Sequence, residues 1–458
     1  MKKVIDEVKK INKDYHYFNK IIENPKKEGK GKLDGIYFSV KDCICVKDVE
    51  SRAGSAILNG YKPVFDATVI NRIKKQGGII IGKTIQDEFG FGGFSVNVGK
   101  GFEKPLNPFD KERVCGGSSG GAAGIAQKAG FRHVAVAEST GGSIVNPACF
   151  CGVIGLCPGY GRVSRYGLID YANSLDKIGV IAKDMKDIAL AMDVISGFDD
   201  NESTSLDVIK STKDKVVNIG LIKESTGKSK ILRSKASGTT NVVSGTTESG
   251  FGKGVDKRVG DKIMESVDKL KKLGYKVSEV SLPFTNKYGL IAYYLIALSE
   301  ASTNLSRYCG MRYGAEEKLE GSFNDYFTKV RSKHLGDEAK RRIMIGTFAR
   351  MAGFRDAYYI RAMKVRTKII EEYKKAFKKF DLLLSPTMPI IAPKFSEIEK
   401  LTPLENYMMD ILTVGPNLAG LPHINIPCGF VDKMPVGLML IGDHFDENKL
   451  IDVGGKLK

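Results

Sequence analysis

The chain has 458 residues, enough for two or three average domains or for one large α/β unit with a substantial core. Against 53 Asp and Glu stand 71 Lys and Arg, a net charge of +18 that suits an anionic partner such as tRNA, an acidic protein or a membrane surface, or is simply a solvated basic face. No apolar run is long enough to span a bilayer, no aromatic RNA-binding pattern or zinc knuckle accompanies the charge, and the eight cysteines contain no CxxC pair.

The opening stretch, MKKVIDEVKKINKDYHYFNK, sets Ile, Val and Tyr between lysines at helical spacing and lacks the apolar core of a signal peptide. It predicts an amphipathic helix over residues 1–22 and a soluble, cytoplasmic protein. LDGIYFSVKDCICVKD alternates like a strand pair ending in polar turns. ATVINRIKKQGGIIIGKT then reads as a helix, a Gly-Gly stop and a buried β-branched strand, the signature of a βαβ layer. The pattern recurs in the small-residue helix GGAAGIAQKAG with its strand RHVAVAES, in the helix MKDIALAMDVISG, in the strand VVNIGLI, and in KRVGDKIMESVDKLKKLGYKVSEV. Residues 285–378 read as mostly helical, and FDLLLSPTMP, INIPCG and VGLMLIG restore strands. The expectation is a single α/β domain over 1–458 whose sheet is assembled from both ends of the chain. Residues 224–254, rich in Ser, Thr, Gly and Lys, have too little apolar content to offset their ordering entropy and predict a flexible surface insertion.

Cys149, Cys151 and Cys157 lie in the apolar stretch PACFCGVIGLC, where small thiols pack well; a fourth ligand and metal spacing are missing, so no metal is expected. Two glycine-serine clusters, GGSSGG at 116–121 and STGGSIV at 139–145, allow close backbone approach and expose N–H groups. Neither fits GxxxxGK[ST] or GxGxxG, which argues against a nucleotide loop and leaves an oxyanion hole as their use. A serine nucleophile needs a base. None of the five histidines, His16, His133, His334, His423 and His444, sits in a triad signature, and the GxSxG elbow is missing. His133, in the strand RHVAV, reads as structural. A lysine replaces histidine where burial makes its neutral form accessible, which requires moving it down from about 10.4 by roughly two to three units. Lys41 in FSVKDC is the candidate, a lone charge in an alternating strand; an edge-strand lysine is the plainer alternative.

VKD at 40–42, GGSSGG at 116–121, STGGSIVNPA at 139–148 and GYGRVSRYGLIDYANSLDKIG at 159–179, in this order and spacing, resemble the amidase signature family. SEASTNLSRYCGMRYG at 299–314, KRRIMIGTFARMAGFRDAYYIRAMKVRT at 340–367 and NYMMDILTVGPNLAGLPHINIPCG at 406–429 look like the glutamine-hydrolysing components of tRNA-dependent amidotransferases within that family. The resemblance implies the amidase signature fold, a large mixed central β-sheet flanked by helices on both faces, with a mostly helical substrate-binding part at 285–378. It implies a triad of Ser143 as nucleophile, Ser118 on a cis peptide and Lys41. It also implies an oxyanion hole from Thr140, Gly141 and Gly142, with Arg342 and Asp410 binding the carboxylate and ammonium of glutamine and Arg341 turned to solvent or a partner. No cofactor is implied in this chain. ATP and Mg2+ would be used by the partner GatB, which handles mischarged Glu-tRNA(Gln) or Asp-tRNA(Asn) and completes a heterotrimer with the small GatC; no membrane is implied.

The chain departs from the family pattern at four places. Val145 stands where arginine is usual, Ser139 where aspartate is common, Cys115 where proline is frequent, and CPGYG at 157–161 replaces KPTYG. The first two remove an ion pair near Ser143. Two alternatives stay open: a stand-alone amidase acting on a small amide and, suggested by Val145 and Ser139, a catalytically impaired scaffold. The tail after GDHFDENKLID reads as a shortened final helix.

Overall fold

The computed structural model describes residues 1–207, 216–226 and 254–457. Helix α1 (Lys2–Tyr15) buries Ile5, Val8 and Ile11 at helical spacing and then stops, short of the expected residue 22. His16 turns left-handed at φ 59° and its N–H closes on Asn12 O at 2.9 Å. The Asn12 side chain accepts from Phe18 N–H at 2.6 Å, which starts strand β1 (Phe18–Ile21) in place of another helical turn. The strand pair expected after residue 33 is one strand, β2 (Tyr37–Lys41), followed by turns with isolated bridges at Ile44 and Val46.

The front part continues with α2 (Thr68–Lys75), β3 (Ile79–Thr84), α3 (Gly120–Lys128), β4 (His133–Ser139), α4 (Val145–Phe150), β5 (Ile154–Cys157), β6 (Lys177–Ala182), α5 (Met185–Ile195) and β7 (Asn218–Ile222). Next come α6 (Lys257–Lys272), β8 (Lys276–Val280) and the helical part: α7 (Pro283–Asn304), α8 (Phe323–His334), α9 (Asp337–Arg350) and α10 (Arg361–Phe377). The chain closes with β9 (Leu382–Pro386), α11 (Phe395–Ile398), α12 (Pro403–Met408), α13 (Val414–Leu418), β10 (His423–Val431), β11 (Met434–Gly442) and α14 (Glu447–Leu457). The insertion expected at 224–254 lies outside the described residues over 227–253. Its first residue is already ordered, because buried Glu224 accepts from Leu282 N–H at 3.0 Å.

Among the described residues the strands form one 11-stranded sheet in the order β1-β3-β2-β4-β6-β5-β10-β11-β9-β7-β8. It is mixed: β2 is parallel to both β3 and β4, and β7 to both β8 and β9, while the remaining pairs are antiparallel. Alternation along the central strands feeds two cores. Ile80, Val134 and Val136 join the cluster that includes α2 and α5; Ile79, Ile81, Ala135 and Ala137 join the one that includes α1 and α3. Helices thus cover both faces. Among the described residues no helix is long and apolar enough to cross a membrane.

Alanines in β4 and the small residues of α3 let that helix lie close over the sheet, and Gly124 is the tightest point. A Cβ there would stand 2.1 Å from the ring of Tyr17, which is held by its hydroxyl on Leu106 O at 2.9 Å. Gly124→Ala is expected to destabilise the fold by about 1–3 kcal/mol through overpacking, measured by urea denaturation.

Candidate active site

Lys41 ends β2 and is fully buried. Its amine donates to Ser118 Oγ at 2.8 Å, to Glu138 O at 2.9 Å and to Glu138 Oε2 at 2.8 Å. The peptide bond between Gly117 and Ser118 is cis. The segment around it is pinned against the loop at 87–97: Asp87 N–H donates to Ser118 O at 3.2 Å, Gly117 N–H to Gly93 O at 2.9 Å, and Ser95 Oγ to Gly116 O at 2.7 Å. A Cβ on Gly117 would lie 2.3 Å from Asp87 Oδ2, so the first glycine cluster serves close approach. Asp87 accepts from the N–H groups of Ser95 and Asn97, yet burial pushes its carboxyl up to about 6.

The second cluster runs from the end of β4 into α4. Among the described residues nothing accepts from the N–H groups of Thr140, Gly141 or Gly142. A Cβ at Gly141 would meet the Tyr293 ring at 2.4 Å, and one at Gly142 would meet Thr413 Oγ1 at 2.3 Å. Ser143 follows, 8% exposed, and among the described residues its hydroxyl makes no hydrogen bond. The structure therefore brings Lys41 and Ser118 into contact and, among the described residues, presents Ser143 without a hydrogen-bond partner in a loop whose N–H groups have no acceptor. Val145 is fully buried in the larger core cluster. Ser139 pairs with Lys177 across the β4–β6 ladder, and Lys177 is buried with its amine donating to Leu421 O at 3.1 Å.

Glu138 escaped the sequence reading, although RHVAVAES offered a signal in its one acid among small and apolar residues. Its Oε1 accepts from the Thr140 hydroxyl at 2.8 Å, and that hydroxyl also lies 2.8 Å from Asp176 Oδ1.

Arg342 belongs to the helical part, and Asp410 to the closing segment between α12 and α13. Arg342, on α9, is 3% exposed; its guanidinium donates to Glu338 Oε1 at 2.7 Å and to Tyr171 OH at 2.9 Å. The rings of Phe91, Tyr171, Tyr294 and Tyr407 surround it, 5.1–6.0 Å from centroid to guanidinium carbon. Asp410, just after α12, accepts from Tyr294 OH at 2.6 Å. Burial pushes its carboxyl up to about 6, with the Tyr294 hydrogen bond and the Arg342 charge opposing. Arg342 and Tyr294 line a cavity of about 410 Å³ together with Gly93, Asn406 and Tyr407. Arg341, expected to face solvent or a partner, stands at the rim of this cavity and pairs with Glu338.

His133 is structural as expected: its Nε2 lies 3.0 Å from Ser39 Oγ, and burial pushes its pKa down to about 3. The eight cysteines are unpaired, and among the described residues no group of three or more His, Cys, Asp or Glu is placed to hold a metal.

A sequence model for the family described as Amidase matches residues 15–451. The chain is 44% identical over 429 residues to the A subunit of the Glutamyl-tRNA(Gln) amidotransferase of Halothermothrix orenii, covering 93% of this chain and 85% of that one. It is 43% identical over 426 residues to the protein of the same name from Methanococcoides burtonii, covering 93% and 84%. The crystal structure of the A subunit of the Glutamyl-tRNA(Gln) amidotransferase from Thermotoga maritima superposes with a TM-score of 0.77 at 34% identity, over 99% of this chain and 90% of that one.

The Lys41–Glu138 pair predicts a stability pattern. Lys41→Ala leaves a carboxylate buried without its cation and is expected to destabilise the protein by about 3–5 kcal/mol in urea denaturation. Lys41→Met combined with Glu138→Gln is expected to recover most of that loss.

Proposed function

The chain belongs to the amidase family, and from that premise we propose that it is the glutamine-hydrolysing component of a tRNA-dependent amidotransferase. It releases ammonia for converting Glu-tRNA(Gln), or Asp-tRNA(Asn), to the amidated form. The name carried by relatives at 43–44% identity supports this reading. The observation that carries the chemistry is the buried contact of Lys41 Nζ with Ser118 Oγ at 2.8 Å, beside a loop of unengaged backbone donors.

Arg342 receives the α-carboxylate of glutamine and Asp410 its ammonium, so that two opposite charges read a zwitterion; the planar guanidinium fork suits the carboxylate. Ser143 Oγ attacks the side-chain amide carbon. Its proton moves to Ser118 Oγ as the Ser118 proton moves to neutral Lys41 Nζ. The oxyanion forms against the N–H groups of Thr140, Gly141 and Gly142, fixed donors aimed where charge develops. On collapse the proton returns from Lys41 through Ser118 to the amide nitrogen, the C–N bond breaks, ammonia leaves, and a glutamyl ester remains on Ser143. Water, deprotonated through the same relay, cleaves the ester to glutamate and restores Ser143.

In this reading GatB uses the ammonia with ATP and Mg2+ and handles the tRNA, GatC completes the heterotrimer, and neither ATP nor a metal is assigned to this chain. The net charge of +18 suits work beside tRNA in the cytoplasm.

Ser143→Ala is expected to lower glutamine-dependent amidation by more than ~10³-fold while added ammonium salts still support it in the assembled complex. Peptide mass mapping after treatment with a glutamine-analogue electrophile should find the adduct on Ser143. Unchanged glutamine-dependent activity in the alanine variant would mean a scaffold and not a glutaminase.

Asp410 gives a pH dependence. Its charge is present above about pH 6 and lost below it, so the KM for glutamine should rise as pH falls through about 6. In Asp410→Asn the KM is raised throughout and this limb disappears. A wild-type KM that stays flat from pH 8 to pH 5 would remove Asp410 from substrate binding.

A further inference from the structure

Behind the loop that carries Ser143, a buried network reaches Lys41 through Glu138, Thr140 and Asp176, side chains that the triad does not employ. Lys41 and Glu138 form an ion pair at 2.8 Å with side-chain exposures of 0% and 4%. The second carboxylate oxygen of Glu138 meets the Thr140 hydroxyl at 2.8 Å, and the same hydroxyl meets Asp176 Oδ1 at 2.8 Å. A hydroxyl has one proton to donate. It bonds to both carboxyl groups only if one of them carries a proton. Asp176 is the protonated one: burial and then the charge of Glu138 push its carboxyl well above the usual range, although Tyr171 and Ala172 donate N–H groups to its Oδ2 at 2.8 and 2.9 Å. Neutral Asp176 then donates to Thr140 and Thr140 donates to Glu138. The negative charge is left on the carboxyl that faces the lysine amine.

We propose that Glu138 is a positioning residue that governs the charge of Lys41, with Thr140 and Asp176 holding the negative charge of the network on Glu138. The proposal rests on the assignment of Lys41 as the base. The three contacts of Nζ serve both of its forms without any atom moving. As an ammonium it donates all three bonds; as an amine it donates two to Glu138 and accepts the Ser118 hydroxyl proton. The carboxylate favours the ammonium. It therefore strengthens Lys41 as an acceptor of the proton arriving from Ser118.

The other charged and titratable groups around this site are hydrogen-bonded to other partners, although Asp87 also interacts with the charge of Lys41. Asp42 accepts from Asn19 and Gly54, Asp87 from Ser95 and Asn97, Lys83 donates to Ser51, and Lys177 donates to Leu421 O. Burial pushes the Cys43 thiol up, so it stays uncharged. Among the described residues Glu138 is the one carboxylate within hydrogen-bond distance of Nζ.

The rate at which a fluorophosphonate labels Ser143, followed by mass spectrometry against pH, reads the base whichever amide the enzyme hydrolyses. The wild-type rate should fall along an acid limb, and in Glu138→Gln that limb should lie about 1–3 pH units lower. Glu138→Asp, which keeps the charge, should stay near the wild type, and Asp176→Asn, which mimics the protonated acid, should keep the wild-type limb. Glu138→Ser provides the same displacement should the glutamine variant not fold. Superimposable limbs in wild type and the neutral Glu138 variants overturn the proposal, as do an equal displacement in Asp176→Asn and a Ser143 unlabelled at every pH. A wild type that is labelled yet hydrolyses no glutamine refutes the glutaminase assignment, and the limbs still decide the role of Glu138.

Discussion

A lysine amine taken wholly out of water persists only where acceptors meet each of its protons, and the arrangement around Lys41 follows from that requirement. The parallel pairing of β2 with β4 brings the end of one strand beside the end of the other, and Glu138 supplies both a carbonyl and a carboxylate to the amine. Ser118 fills the third direction from the cis turn that precedes α3. One cation thus ties together three segments far apart in the chain. Under the proposed function the groups that move the proton are also the groups that neutralise a buried charge, which couples chemistry to stability.

The glycines beside these serines look at first like devices for mobility. In the structure they are points of contact. Gly117 lies against Asp87, Gly141 against the Tyr293 ring and Gly142 against Thr413, each too close for a methyl group. Tyr293 comes from α7 and Thr413 from the segment just before α13, so the wall of the loop at 140–143 is built jointly by the helical part and the closing segment of the chain. Tyr294, the next residue of α7, holds Asp410. The loop that presents Ser143 and the groups proposed to read glutamine therefore share a rigid boundary, and the cavity lined by Arg342 reaches that boundary from outside.

The strands and most helices were legible because apolar period and glycine stops are local signals. The end of α1 was not, because a side chain, Asn12, decides it by bonding ahead to Phe18. Glu138 was missed for a different reason. A lone acid in a short strand reads as an edge residue, and the partner that makes it a buried ion is 97 residues away. Arg342 and Asp410 alone read as surface charges, and only the family resemblance singled them out; Arg342 is buried among Phe91 and three tyrosines and Asp410 accepts from one of these tyrosines, contacts that no local pattern announces.

The departures from the family pattern acquire a physical sense when the two sides of β4 are separated. Val145 is buried among apolar side chains, where a valine needs no counter-charge, and the aspartate common at 139 is absent with it. Ser139 lies beside Cys157 and pairs in register with Lys177, on the side turned away from Lys41. Glu138 precedes it by one residue, and neighbours on a strand point to opposite faces. The acid at 138 meets the amine of Lys41, while position 139, on the other face of the strand, carries no charge.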